Sequence, residues 1–163
     1  MARIAASDVT FAVEDPTIAD AQWCIQQYFD ELTERFETGF DPTLGISAEA
    51  HELVPPSGAL IIARLQGRPV GCGALKFHDR APAELKRMWV SRDARGLGLG
   101  RRLLAELERH AIASGVKVVR LETNRTLKEA IALYRSSGYR EVQRFNDEPY
   151  AHHWFEKRLR KGS

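Results

Sequence analysis

The run Arg95-Gly-Leu-Gly-Leu-Gly100-Arg-Arg sets three alternating glycines among arginines, where an apolar strand pattern gives way to a helical one. Lacking side chains, such glycines let a ligand approach the backbone, and the N–H groups of a helix start favour anionic oxygens. The expected chemistry is the binding of a diphosphate by the main chain of Gly96, Leu97, Gly98, Leu99, Gly100 and Arg101, with Arg95, Arg101 and Arg102 adding charge. A P-loop would need Lys followed by Ser or Thr after the last glycine, where this chain has Arg101 and Arg102. A dinucleotide turn fits poorly too. The spacing is G-x-G-x-G, and five residues separate Val90 from Gly96, although Glu122 at the end of the next strand could serve as a ribose-binding acid.

Three further residues could do chemistry. Glu84 stands near the start of the strand that leads to the glycine turn, where a strand-end carboxylate can pair with Lys86 or Arg87. Tyr134 shares a helical stripe with Leu127, Ala130 and Ile131, as a core tyrosine would. Asn124 follows a strand end, where a turn residue can cap the Leu127 helix. Adjacent His152 and His153 would face opposite sides of a strand, and His51, His78 and His110 are scattered, so no metal site is expected. Cys72 has no evident histidine partner, which argues against an acyl-cysteine nucleophile.

Taken together, Arg95-x-x-Gly98-x-Gly100 after a strand, Asn124 after the next strand, and Ala130-Ile-Ala-Leu-Tyr134 with Gly138-Tyr139 resemble the acetyl-CoA region of the GNAT superfamily of N-acetyltransferases. The resemblance covers about a third of the chain in the right order. It implies direct transfer of acetyl from acetyl-CoA to a primary amine of a small molecule or peptide. Two strands, one running through Glu84–Val90 and the other through Val116–Thr123, would splay to admit the pantetheine arm. It also implies backbone contacts to that arm from Met88, Trp89 and Val90, a cofactor contact at Asn124, Tyr134 as general acid and Glu84 as base, often through water. Acetyl-CoA is then a co-substrate, no metal is needed, and a homodimer is the assembly common in the family. An acyl-CoA-binding sensor without catalysis is the alternative.

The elements that must position these residues can be read from the same sequence. Val9 to Val13 reads as a strand, and Asp15-Pro16 as the N-cap and first turn of a helix. That helix carries Ile18, Ala21, Ile25, Phe29, Leu32 and Phe36 at three- and four-residue spacing and is stopped by Gly39. Phe40 to Ser57 is mostly loop, with a short helix near Ser47 to Leu53. Ala59–Leu65 and Pro69–Phe77 form a hairpin through Gln66-Gly67-Arg68, extended by Ala83–Val90. A helix to about Ala113, a strand over Val116–Thr123, the Tyr134 helix, and strands over Tyr139–Val142 and His152–Leu159 complete the chain. The order passes from antiparallel hairpins to β-α-β-α-β, which predicts an α+β fold built on a mixed sheet with flanking helices. The resemblance sharpens this to a mostly antiparallel sheet of six or seven strands with about four helices.

With 163 residues, the chain is expected to form one domain over 1–163. A formal charge of +2 does not suggest nucleic-acid binding. Two cysteines, no signal-peptide pattern and no run near the roughly 20 apolar residues of a membrane span lead to the expectation of a cytoplasmic protein with no membrane partner. The acceptor cleft is expected between the Phe29–Leu53 region and the Asn146–His153 loop. Glu34, Glu37, Asp41, Asp147 and Glu148 there make a cationic amine plausible.

Overall fold

The computed structural model describes residues 8–45, 48–79 and 81–160. Strand β1 (Val9–Val13) leads to helix α1 (Ala19–Arg35), then come β2 (Gly58–Leu65), β3 (Arg68–His78) and β4 (Ala81–Val90). Helix α2 (Leu99–Ala113), β5 (Val118–Thr123), α3 (Lys128–Ser136), β6 (Arg140–Val142) and β7 (His153–Arg158) follow. The strands form one seven-stranded sheet in the order β1-β2-β3-β4-β5-β7-β6. Every neighbouring pair is antiparallel except β4 with β5, which run parallel.

The β2–β3 turn follows from its residues. Gln66 and Gly67 both take positive φ, 52° and 79°, the twist that a two-residue hairpin loop requires. The expected helix count is revised: among the described residues there are three α-helices and two single 3₁₀ turns, Ala50–Leu53 and Arg92–Ala94. Ser47, placed at the start of the first of these turns by sequence, lies outside the described residues. Asp15 does not cap α1. Its carboxylate accepts from the Thr17 N–H and hydroxyl, and Ile18 occupies the cap position. The turn satisfies its own groups before the helix begins.

Two helices clamp the sheet. Leu103, Leu104, Leu107 and Ala111 of α2 pack on Ile61, Leu75, Leu85 and Leu121. On the other face Ala21 and Cys24 of α1 pack against Leu60, Ile62, Cys72 and Trp89. Alternation along β2 explains the division, because Ile61 points to one helix while Leu60 and Ile62 point to the other.

The centre of the sheet is where it opens. β4 and β5 pair only at Ala83↔Val119 and Glu84↔Arg120, so from Leu85 onward they diverge. On its other side β4 stays paired with β3, but the register jumps between Cys72↔Trp89 and Ala74↔Lys86, so that Arg87 and Met88 together oppose Gly73. This is a β-bulge, and its first residue, Arg87, has φ 56°.

Candidate active site

The glycine turn sits beside the parted strands. Gly98 caps α2 in the left-handed conformation, φ 67° and ψ 21°, and Gly96 has φ 90°. A Cβ built on either would meet no heavy atom within 4 Å, so both present bare backbone to open space, as a main-chain cradle for a diphosphate requires. Leu99, Gly100 and Arg101 supply N–H groups with no carbonyl partner inside the helix, at the positive end of its dipole. These residues fit the pyrophosphate of acetyl-CoA.

The arginines are differently engaged. Arg95 Nη2 donates to Glu31 Oε1 at 2.8 Å, Arg92 Nη2 to Glu34 at 3.1 Å, and Arg101 Nη2 to the Ser136 hydroxyl at 3.0 Å. Sequence reading gave Arg95 and Arg101 to the phosphates without anticipating these partners.

A cavity fills the space between β4 and β5. Its walls include Leu85, Lys86, Arg87 and Met88 from β4, Leu121, Glu122 and Thr123 from β5, and Tyr134 from α3. Beyond Glu84 the β5-facing edge of β4, which runs through Met88, Trp89 and Val90, has no strand partner among the described residues. Trp89 itself is buried, in an edge contact with Trp23 at 5.6 Å between ring centroids. Its side chain belongs to the packing on α1.

Tyr134 lines this cavity and is only 5% exposed. Burial, helped by the nearby Glu122 charge, pushes its phenol well above the ordinary value, so the proton stays in place at neutral pH. Its ring packs with Tyr139 and Phe155, which is the core role weighed from sequence.

Two carboxylates have opposite surroundings. Glu84 does not line the cavity. It lies at the rung where β4 and β5 are still paired, with Oε1 3.0 Å from His78 Nε2 and Oε2 3.2 Å from Lys86 Nζ. Burial works against its charge, but Lys86, His78 and Arg120 outweigh burial and hold the carboxyl below its usual range. Glu122 does line the cavity, with its side chain 10% exposed. Burial raises its carboxyl above the usual range, against the pull of Lys86 at 3.6 Å and with a push from the Glu84 charge. Its Oε2 is buried with no hydrogen-bond partner among the described residues. Sequence reading considered Glu122 only as a ribose ligand. The alternation of β5 gave no signal for it, since Glu122 shares a face with Val118 and Arg120, opposite the buried Val119, Leu121 and Thr123.

The outer wall is aromatic. Phe29, Phe36, Phe40 and Tyr150 line the cavity, and their rings contact one another at centroid distances of 5.0–5.7 Å. Both segments expected to wall an acceptor cleft therefore contribute. The expected acidic character does not follow. Glu34 and Glu37 pair with Arg92 and Arg125, Asp41 accepts from Thr43, and Asp147 pairs with Arg144. Of those five acids only Glu148 reaches the cavity.

Asn124 lines the cavity, yet its side chain ties loops together. Nδ2 donates to the Tyr150 carbonyl at 2.8 Å, and Oδ1 accepts from the Thr126 N–H and hydroxyl. This is the turn role weighed from sequence. His152 accepts from the Arg125 N–H, and His153 pairs with Glu141 at 2.7 Å.

This fold and turn match a family model described as Acetyltransferase (GNAT) family over residues 24–139. The chain is 35% identical to an IAA acetyltransferase of Azospirillum brasilense over 81% of its own length and 84% of that protein. It is 36% identical to the N-alpha-acetyltransferase RimI of Mycobacterium tuberculosis, over 77% and 76% of the two chains. In fold it is similar to a GNAT family acetyltransferase of Elizabethkingia anophelis solved with acetyl-CoA bound, with a TM-score of 0.64, 17% identity, and 94% and 99% of the two chains covered. The chain belongs to the GNAT acetyltransferase family. It is an acetyl-CoA-dependent acetyltransferase, and its relatives bear names that point to different acceptors.

Proposed function

We propose that this protein is an N-acetyltransferase, one domain, that passes acetyl directly from acetyl-CoA to a primary amine, with Glu122 as base and Tyr134 as acid. Acetyl-CoA supplies the acetyl group as an activated thioester. The observation that carries the reading is the pairing, in one cavity, of a buried carboxylate that lacks a hydrogen-bond partner at Oε2 among the described residues with a buried, protonated phenol.

Glu122 removes a proton from the incoming ammonium, a task suited to a carboxyl that burial raises above its usual range. As the amine nitrogen bonds to the acetyl carbon and the carbon–sulfur bond breaks, Tyr134 gives its proton to the departing sulfur, and the second proton, shed by nitrogen as the amide forms, restores the phenol. The unpaired edge of β4 through Met88, Trp89 and Val90 offers main-chain groups to the pantetheine arm, and an N–H there can stabilise developing oxyanion charge. Gly96 to Arg101 hold the pyrophosphate. Glu84, the base that the resemblance implied, is better suited to fixing Lys86, because its carboxylate pairs with Lys86 and His78 and does not itself line the cavity.

The test is thiol release from acetyl-CoA across a panel of amines, where amine-dependent release is expected. Tight coenzyme binding with no release on any amine would favour the sensor alternative. A second measurement addresses the cradle. In Gly98→Val a β-branched residue must adopt φ near 67°, and its side chain enters the face that the coenzyme approaches. The backbone strain, roughly 1–2 kcal/mol, lowers stability in the free and bound states alike; the side chain in the path of the coenzyme is what weakens binding, and calorimetry should show CoA affinity lowered at least about tenfold. Unchanged affinity would remove the turn from the binding site.

A further inference from the structure

Arg87 stands out as a side chain in an unsuitable backbone position. It is the first residue of the β4 bulge, with φ 56°, a conformation that costs any residue with a Cβ and that glycine would adopt freely. A backbone outlier of this kind points to a role for the side chain. Its guanidinium lies between Ala48, whose carbonyl accepts from Nη2 at 2.6 Å, and the ring of Phe29, 5.7 Å from the centroid. Ala48, Phe29 and Arg87 each line both the central cavity and a second one beside it, so the cation sits in the wall that the two share. Burial depresses its pKa below the ordinary guanidinium value, opposed by Tyr28 and Cys72 and by the Glu49 and Glu52 charges. Glu52 is itself paired with Lys76 at 2.8 Å. Arg87 and Glu122 both line the central cavity, as does Tyr28.

We propose that the acceptor is an amine that also carries a carboxylate, an α-amino acid with an apolar side chain. Arg87 grips the carboxylate, and the Phe29–Phe36–Phe40–Tyr150 panel covers the side chain. This rests on the transfer reading above and adds the substrate class to it. A planar guanidinium matches a carboxylate through two parallel N–H bonds. The same cation would repel a second ammonium in a cavity of low dielectric, which disfavours polyamines. The aromatic panel offers neither charge nor a row of polar groups to a longer, hydrophilic chain.

The experiment compares L-phenylalanine with L-phenylalaninamide and 2-phenylethylamine, which keep the amine and the ring but lose the carboxylate. Binding to the CoA-loaded protein is measured by calorimetry, and turnover by thiol release from acetyl-CoA. The wild type should favour phenylalanine by at least about tenfold in Kd and in kcat/KM, as a charge-assisted bond warrants. Arg87→Gln should bring the three compounds near parity, mainly through KM, while Arg87→Lys keeps part of the preference. Thermal melting of both variants reports whether the bulge survives. Equal binding of the three compounds by the wild type, binding of none, or a preference that persists in a folded Arg87→Gln, would each overturn the proposal. If phenylalanine binds preferentially but no amine releases thiol, the carboxylate site stands and the transfer reading fails. If the analogues without the carboxylate are acetylated equally well, the transfer reading stands alone.

Discussion

Tyr134→Phe is expected to lower kcat by about 10²–10⁴-fold, the usual cost of losing a positioned general acid. The fold should survive. The Tyr134 hydroxyl makes no hydrogen bond to any described residue, and the ring contacts with Tyr139 and Phe155 are kept by phenylalanine. CoA affinity should be little changed, since the diphosphate cradle is built from main chain elsewhere. Single-turnover measurement of the chemical step, alongside thermal melting, separates the outcomes. A variant as fast as wild type would return Tyr134 to a purely packing role.

Glu122→Gln should be comparably slow, and it should also be more stable near neutral pH. The two effects have one cause. Burial raises the Glu122 carboxyl in the folded protein, so between the unfolded and folded pKa values the native state holds more protons than the unfolded state. Stability then falls as pH rises through that window, and above it the full cost of a buried charge is present. Glutamine avoids that cost, and Lys86 keeps Glu84 at 3.2 Å as a partner. Melting temperature against pH should show the wild type losing ground to the variant from the ordinary carboxylate range upward. The low-pH limb of wild-type kcat/KM, set by deprotonation of Glu122, should vanish in the variant. A variant of unchanged rate would place the base elsewhere, with Glu84 and His78 the next candidates. A parallel pair of melting curves would mean that Glu122 is not held in a desolvated state.

Much of this arrangement could be read from local pattern. The Gln66-Gly67 turn, the stripe that becomes α2 and the alternating glycines are each determined by residues close in sequence, so their signals survive without tertiary information. The family match over residues 24–139 and the seven-stranded sheet agree with that reading. What could not be read depends on partners far apart in the chain. Glu84 and Glu122 are both strand carboxylates near lysine or arginine, and only the parallel register of β4 with β5 puts one at the closed rung and the other in the opening. Likewise Glu34 and Glu37 looked like part of an acidic cleft, but the packing of α1 and the turn after it sets them against Arg92 and Arg125. The strain at Arg87 has no local signature either, since the bulge exists only through the mismatch with β3.

The two-rung contact between β4 and β5 has a consequence for how such a protein can diversify. A slot whose width is fixed by strand register and by one extra residue in β4 behaves like a jaw set in its mount, independent of the coverings above it. Residues 40–45 and 146–151 can then change size and character to suit new guests while the distance between the reacting groups stays constant.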